Sequence, residues 1–195
     1  AICTFDKKPY CRVIYNCLPE EYNYPYKNEK RDTVNITVRQ YKSEDAHAAA
    51  EIWNEVVRDG VAFPQENELS DSEADEFFRS QSYTGIACDE SGRIYGLYIL
   101  HPNNVGRCGH ISNASYAVSS SARGNGVGRA VVTDCIRKAK ELGFGILQFN
   151  AVVASNTAAL ALYKLLGFTQ LGVIPGGFRL KDGKYEDIIP HYIEL

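Results

Sequence analysis

The chain has 195 residues, of which 45% are hydrophobic and 23% charged, a balance that is ordinary for one globular domain with a sizeable core. The net charge of −3 provides no general positive field, so the composition argues against a nucleic-acid partner. No apolar run approaches membrane-spanning length and the N-terminus has no signal-peptide pattern, so we predict a cytoplasmic protein without a membrane partner.

Residues 1–33 differ from the rest of the chain and are predicted to be an N-terminal extension, followed by one domain at 34–195. The extension holds Cys3, Cys11 and Cys17 together with five of the thirteen tyrosines, and it ends in a charged stretch that is typical of a linker. A packed extension is the first interpretation, and a lid or a homodimer contact is the alternative, because exposed tyrosines suit interfaces. We expect reduced thiols in the cytoplasm, although a disulfide among these three cysteines stays open.

Hydrophobic periodicity and capping residues in the rest of the chain predict the element order β-α-α-β-β-β-α-β-α-β-β. Alternating or continuous apolar runs indicate strands at 35–41, 84–88, 94–100, 111–118, 145–153, 168–174 and 186–194. Apolar stripes at helical spacing indicate helices at 43–59, 70–79, 127–142 and 156–166. Turn residues indicate turns at 89–93, 175–177 and 182–183.

An acidic run lies between the first two predicted helices and continues into the second. Residues 66–76 include six acids and no Lys or Arg. Such a run is typical of a solvated helix face. Attraction of a cationic amine substrate is the alternative interpretation.

A glycine-rich loop joins the strand at 111–118 to the long helix at 127–142. Gly124, Gly126 and Gly128 stand at alternate positions, which leaves the backbone without Cβ atoms where the strand turns into the helix. Several N–H groups can then point to one spot at the positive end of the helix dipole, which suits a phosphate or a pyrophosphate.

This loop differs from two familiar phosphate-binding loops. A Walker loop ends in Gly-Lys-Ser/Thr, whereas Gly128 is followed by Arg129 and Ala130. A dinucleotide-binding loop needs a different glycine spacing and an acid roughly 20 residues further on, and 144–155 contains no Asp or Glu. Taken alone, the loop fits a phosphate site and a simple strand–helix turn about equally well.

A second sequence motif follows the glycine-rich loop and strengthens its interpretation. The helix at 156–166 has Ser155 or Asn156 as its N-cap, carries Tyr163 on its apolar face and ends before Gly167-Phe168. Arg123-Gly-x-Gly-x-Gly after one strand and Asn156-x-x-Ala-x-x-Leu-Tyr-x-x-x-Gly-Phe after the next resemble the GNAT superfamily of acetyl-CoA-dependent N-acetyltransferases. The resemblance covers residues 35–195.

The resemblance implies an α+β fold, in which flanking helices pack on a mixed central sheet with two splayed strands. It also implies acetyl-CoA as cosubstrate and no metal, with the backbone of the first splayed strand and Asn156 contacting the pantetheine arm. The cofactor-binding residues implied in this way are Tyr116, Val118, Arg123, Gly124, Asn125, Gly126, Val127, Gly128, Arg129, Asn156 and Tyr163.

Acetyl transfer needs a protonated leaving thiolate and an amine that has lost its proton. The resemblance places the Tyr163 hydroxyl near the sulfur as general acid, and a core aromatic residue is the alternative interpretation. The base is open. Asn113, on the first splayed strand, and Asn150, on its partner, cannot take a proton at neutral pH but can orient an amine or a water. His110, Glu66 and His191 are alternatives by residue type only.

A closer resemblance concerns the substrate. The stretches 106–114 and 149–152, followed by Asn156, are similar to fungal-type acetyltransferases acting on azetidine-2-carboxylate and related imino acids. In that group asparagines matching Asn113 and Asn150 are the functional polar residues. The chain is therefore predicted to acetylate a small-molecule amine, an amino or imino acid. The alternatives are a degenerate GNAT domain that serves as an acyl-CoA sensor or scaffold, and a protein or peptide N-acetyltransferase.

Overall fold

The computed structural model of the protein describes residues 35–195. The predicted extension at 1–33 and its three cysteines lie outside these residues. The helices are α1 (Ala46–Asp59), α2 (Asp71–Arg79), α3 (Val127–Glu141) and α4 (Thr157–Leu165). The strands are β1 (Thr37–Gln40), β2 (Tyr83–Cys88), β3 (Ile94–Pro102), β4 (Ile111–Val118), β5 (Ile146–Phe149), β6 (Thr169–Gln170), β7 (Ile174–Arg179), β8 (Tyr185–Ile188) and β9 (His191–Glu194).

Seven strands form one sheet in the order β1-β2-β3-β4-β5-β9-β6, and β7 and β8 form a separate hairpin. The pairs from β1 to β4 are antiparallel, β4 and β5 are parallel, and β9 is antiparallel to both of its neighbours. The predicted mixed sheet of an α+β fold is therefore confirmed.

The two central strands separate after a short contact. Ile111 and Ser112 of β4 pair with β5, and beyond them β4 is paired only with β3. The Ser119 N–H donates to the carbonyl oxygen of Tyr95, on the β3 side. Because the two edges of a strand alternate, the peptide groups of Tyr116 and Val118 face the gap. The expected splay is confirmed, and it leaves one edge of β4 free for hydrogen bonding.

Helices cover both faces of the sheet, each through its apolar stripe. On one face α1 and α2 bury Trp53 and Phe78, which pack edge-to-face at 5.8 Å between ring centroids. On the other face α3 buries Val131 and Cys135 against the sheet. The Cys135 thiol is thus packed in the core between α3 and the sheet. None of the helices within residues 35–195 has the length and apolar character of a membrane span.

The C-terminal strands differ from the prediction. The stretch 186–194 is two strands, β8 and β9, and the break includes Pro190, which has no N–H to continue a ladder. Residues 175–177, predicted as a turn, lie inside β7, where the pairing with β8 shifts register between Ile174 and Phe178. Strand β5 ends at Phe149 instead of residue 153, because the chain leaves the main sheet and meets the hairpin through the bridge of Val153 to Ile188.

Candidate active site

The glycine-rich loop lies between β4 and the first turn of α3. Gly124 and Gly126 have φ of 81° and 82°, a region that favours glycine, and Gly126 directly precedes the helix. The first N–H groups of α3 have no acceptor within the helix and carry its positive dipole end. A Cβ at Gly128 would lie 3.8 Å from Leu162, an ordinary contact, so this third glycine is not required by the local fold.

The two arginines of the loop have different surroundings. Arg123 Nη2 lies 3.1 Å from Asp59 Oδ2 at the end of α1, and both side chains are exposed. Arg129 is on α3 and lines a shallow depression together with Gly126. An exposed ion pair is worth only ~0–1 kcal/mol, so Arg123 can exchange Asp59 for a phosphate at little cost.

A cavity of about 220 Å³ lies between β4, the end of β5 and the start of α4. Its lining includes Asn156 and Tyr163 of the second motif, together with Tyr116 of β4. Asn156 Oδ1 accepts from the Ala159 N–H at 3.2 Å and thereby caps α4. The capping bond occupies the amide oxygen, and the amide nitrogen keeps its two donors for another partner.

Tyr163 is only 8% exposed, and its ring packs on Phe149 at 4.6 Å, Phe168 at 5.4 Å and His191 at 5.9 Å between centroids. Burial raises the pKa of the Tyr163 hydroxyl above its usual range, and the nearby Cys135 acts in the same direction. The phenol is therefore neutral at physiological pH, the state that a proton donor needs.

Tyr116 lines the same cavity, and its ring centroid lies 6.5 Å from that of Tyr163. The Tyr116 hydroxyl is buried without a hydrogen-bond partner among residues 35–195. Burial raises the pKa of Tyr116 well above its usual range, and it raises the pKa of the neighbouring Cys135 thiol to about 12. Both groups are neutral, and the sequence had pointed only to the Tyr116 backbone.

Four amide side chains meet at the edge of the cavity, and we call them the amide cluster: Asn103, Asn113, Gln148 and Asn150. Asn103 Oδ1 accepts from Asn150 Nδ2 at 2.7 Å and from Asn113 Nδ2 at 3.2 Å. Asn150 Oδ1 accepts from Gln148 Nε2 at 2.9 Å and from Asn103 Nδ2 at 3.3 Å. Asn113 and Asn150, the two asparagines predicted from the sequence, are therefore linked through hydrogen bonds to Asn103.

Asn103 and Gln148 were missed by the sequence analysis. Asn103 follows β3, and the pairing of His101 with Asn113 in the β3–β4 register places it beside β4. Its backbone N–H also donates to the Ile111 carbonyl oxygen at 2.8 Å, which fixes the chain there. In the sequence Asn103 lies in a Pro-Asn-Asn loop. This composition is common to turns in general, so it did not indicate a site.

His110, Glu66 and His191 are not among the residues that line the cavity. Within residues 35–195 this lining has no acidic, basic or imidazole side chain. Glu66 pairs with Arg179 at 2.7 Å. His191 is buried behind Tyr163, where its Nδ1–H donates to the Ile189 carbonyl oxygen at 2.7 Å. His110 is exposed just before β4.

Other acids of the run 66–76 are also held locally. Glu68 pairs with Arg58 at 2.6 Å, and Asp71 pairs with His47 at 3.0 Å. Glu73 forms a capping box with Ser70 at the start of α2. No three His, Cys, Asp or Glu side chains within the described part of the chain are placed to hold a metal ion.

Comparison with known proteins agrees with this arrangement. The signature described as the Acetyltransferase (GNAT) family matches residues 38–168. The N-acetyltransferase aca1 of Schizosaccharomyces pombe is 31% identical over 150 residues, which is 69% of this chain and 71% of that protein.

Two solved structures share the fold. A GCN5-related N-acetyltransferase from Kribbella flavida has 34% identity and a TM-score of 0.76, covering 82% of this chain and 98% of its own. A GNAT superfamily phosphinothricin acetyltransferase from Sinorhizobium meliloti, in complex with AcCoA, has 24% identity and a TM-score of 0.76, covering 82% of this chain and 88% of its own. The chain therefore belongs to the GNAT family of acetyltransferases and is an N-acetyltransferase.

Proposed function

We propose that this enzyme transfers the acetyl group of acetyl-CoA to the amine of a small amino or imino acid, with proline-like compounds such as azetidine-2-carboxylate in that class. The observation that carries the proposal is the amide cluster, which lies beside Tyr163 and Asn156 at the gap between β4 and β5.

Acetyl-CoA is the acetyl donor. The gap exposes the peptide groups of Tyr116 and Val118, which can pair with the amides of the pantetheine arm as an added strand would. The pyrophosphate would lie on the open N–H groups at the start of α3, with Arg123 and Arg129 beside it. Asn125, Val127 and the three loop glycines complete this surface, and Asn156 would donate to the arm.

The amide cluster suits a zwitterionic acceptor. An amide nitrogen donates to a carboxylate, and an amide oxygen accepts from an amine, so neighbouring asparagines can hold both ends of an amino acid head. A polycation such as a polyamine would instead need carboxylates to compensate its charge, and the cavity lining within residues 35–195 has none. We propose that Asn113 and Asn150 orient the acceptor and that Asn103 sets their positions.

Tyr163 is proposed as the general acid for the leaving thiolate. Its neutral phenol lies in the same cavity lining as the two asparagines. Because the described lining offers no side chain that could take the amine's proton, we propose that this proton leaves to water. The asparagines would then select and align the neutral amine.

A screen of acceptors by thiol release tests the proposal. The panel contains azetidine-2-carboxylate, proline, acyclic amino acids, spermidine, an aminoglycoside and a short peptide with a free N-terminus. We expect turnover with amino or imino acids that keep a free carboxylate, and loss of turnover when that carboxylate is converted to an amide. Turnover confined to spermidine, the aminoglycoside or the peptide would overturn the substrate class and leave the family assignment intact.

A further inference from the structure

A second cavity, of about 480 Å³, lies between the end of α1 and strand β7. It shares Phe63 and Pro64 with the cavity that holds Tyr163 and the asparagines, so the two cavities adjoin across this loop. Phe63 is buried and forms an apolar wall. A concave apolar site with a few charged groups is the usual form of a small-molecule site.

Two polar contacts join the hairpin to α1 and the loop after it. Arg179 Nη2 lies 2.7 Å from Glu66 Oε1, and Lys181 Nζ donates to the carbonyl oxygen of Arg58 in the last turn of α1. The hairpin itself is closely packed, since a Cβ at Gly177 would lie 2.5 Å from Ile188. The hairpin wall of the cavity is therefore closely packed.

The charged groups of this lining are Arg179, Lys181 and Glu66, which leaves an excess of one positive charge. Glu186 of β8 lies opposite Phe178, while Arg179 lies opposite Tyr185, so Glu186 and Arg179 are on opposite faces of the hairpin. The Arg179 and Glu66 side chains are 59% and 75% exposed. Such a pair contributes only ~0–1 kcal/mol, and another carboxylate can replace Glu66 on the guanidinium.

We propose that this second cavity binds an acidic side chain of the acceptor, with the carboxylate on Arg179 in place of Glu66. The inference rests on the proposed function, because the head of the same amino acid would lie at the amide cluster. The stem of the side chain would pass along Phe63 and Pro64, which belong to both cavities. Glu66 then competes with the carboxylate of the substrate side chain for Arg179.

The matched acceptors glutamate and glutamine test the inference, because they differ in charge at nearly equal size. A hydrogen bond to a charged group corresponds to a preference of roughly tenfold or more in kcat/KM for glutamate. Arg179→Gln should lower the ratio of kcat/KM for glutamate over that for glutamine to about one. Glu66→Gln should raise this ratio above its wild-type value, because the competitor for Arg179 is gone, a response that a merely structural ion pair would not produce.

Glu68→Gln is the matched control, since Glu68 is in the same loop and pairs with Arg58 instead. Equal turnover of glutamate and glutamine by the wild type, or an equal loss of both in Arg179→Gln, would overturn the inference. If no amino acid is acetylated at all, calorimetry with glutarate and the CoA-bound enzyme keeps the two proposals apart. Glutarate binding that is lost in Arg179→Gln would support the second cavity, and no binding would reject it.

Discussion

At the scale of single residues, Tyr163 combines a structural and a chemical role. Its ring contributes to an aromatic group with Phe149 and Phe168, which holds α4 against the sheet. Tyr163 also lines the cavity that holds Asn113 and Asn150. Because the same side chain packs and is proposed to donate a proton, a substitution that keeps the ring is needed to separate the two roles.

Tyr163→Phe is that substitution. We expect kcat to fall by roughly tenfold or more, since general acid catalysis typically contributes at least this much, while the Kd for acetyl-CoA stays unchanged. The raised pKa also predicts that no loss of activity between pH 7 and 9 comes from ionisation of Tyr163. Steady-state kinetics and calorimetry check both points. A variant with wild-type kcat would leave Tyr163 as a packing residue.

The sequence alone identifies some residues of this site and misses others. Asn113, Asn150, Asn156 and Tyr163 could be named from motifs, and the structure places all four around one cavity. Asn103 could not, because its place beside Asn113 depends on the β3–β4 register. A contact set by register between strands has no signature in local composition.

At the level of single elements, one carboxylate organises the turn between β2 and β3. Asp89 Oδ1 accepts from the Ser91 N–H at 2.9 Å, from the Ser91 hydroxyl at 2.6 Å and from the Arg93 N–H at 3.1 Å. Its second oxygen accepts from the Tyr95 hydroxyl at 2.8 Å. These bonds, first those of the Ser91 and Tyr95 side chains, lower the pKa of Asp89 to about 2.

A pH-dependent contribution to stability follows. The folded-state pKa lies below the ordinary value of about 3.9, so the ionised carboxylate stabilises the fold above that pH, and the contribution is lost as pH falls toward about 2. Asp89→Asn should therefore lower Tm at pH 7, and the difference from wild type should shrink as pH falls through this window. Thermal melts at several pH values measure it, with the exposed neighbour Glu90→Gln as control. A difference independent of pH would contradict the assignment.

Local sequence patterns predict the helices of this fold but do not predict its C-terminal hairpin. The four helices were predicted within a few residues because each has a cap and a 3.6-residue stripe. The hairpin of β7 and β8 was not, since Pro175, Gly176 and Gly177 favour a turn in isolation. Tertiary packing overrides that preference, with the hairpin meeting residue 153 through Ile188.

In the molecule as a whole, the gap between β4 and β5 connects the glycine-rich loop with the amide cluster. The sheet separates between β4 and β5, the glycine-rich loop lies at one end of the gap and the amide cluster at the other. Donor and acceptor would thus approach one another within the sheet, with Tyr163 at their meeting point. The predicted homodimer contact, the cytoplasmic location and the role of residues 1–33 stay predictions.

We propose that the amide cluster binds the acceptor while the glycine-rich loop binds acetyl-CoA. Two classes of variant should separate these sites: Asn113→Ala and Asn150→Ala on one side, and Gly126→Trp on the other. A Cβ at Gly126 would meet no atom within 4 Å, so the indole would project into open space and block the cofactor; a thermal melt checks for strain from the positive φ there.

The most direct test is one measurement on these variants, in which acceptor KM and acetyl-CoA Kd are determined together with the best acceptor of the screen. We expect Asn113→Ala and Asn150→Ala each to raise KM by roughly three- to tenfold, the worth of one hydrogen bond, with Kd for acetyl-CoA unchanged. Asn104→Ala, next to Asn103 but outside the cluster, should behave as wild type. An unchanged acceptor KM with a weakened Kd for acetyl-CoA in the asparagine variants would contradict the account.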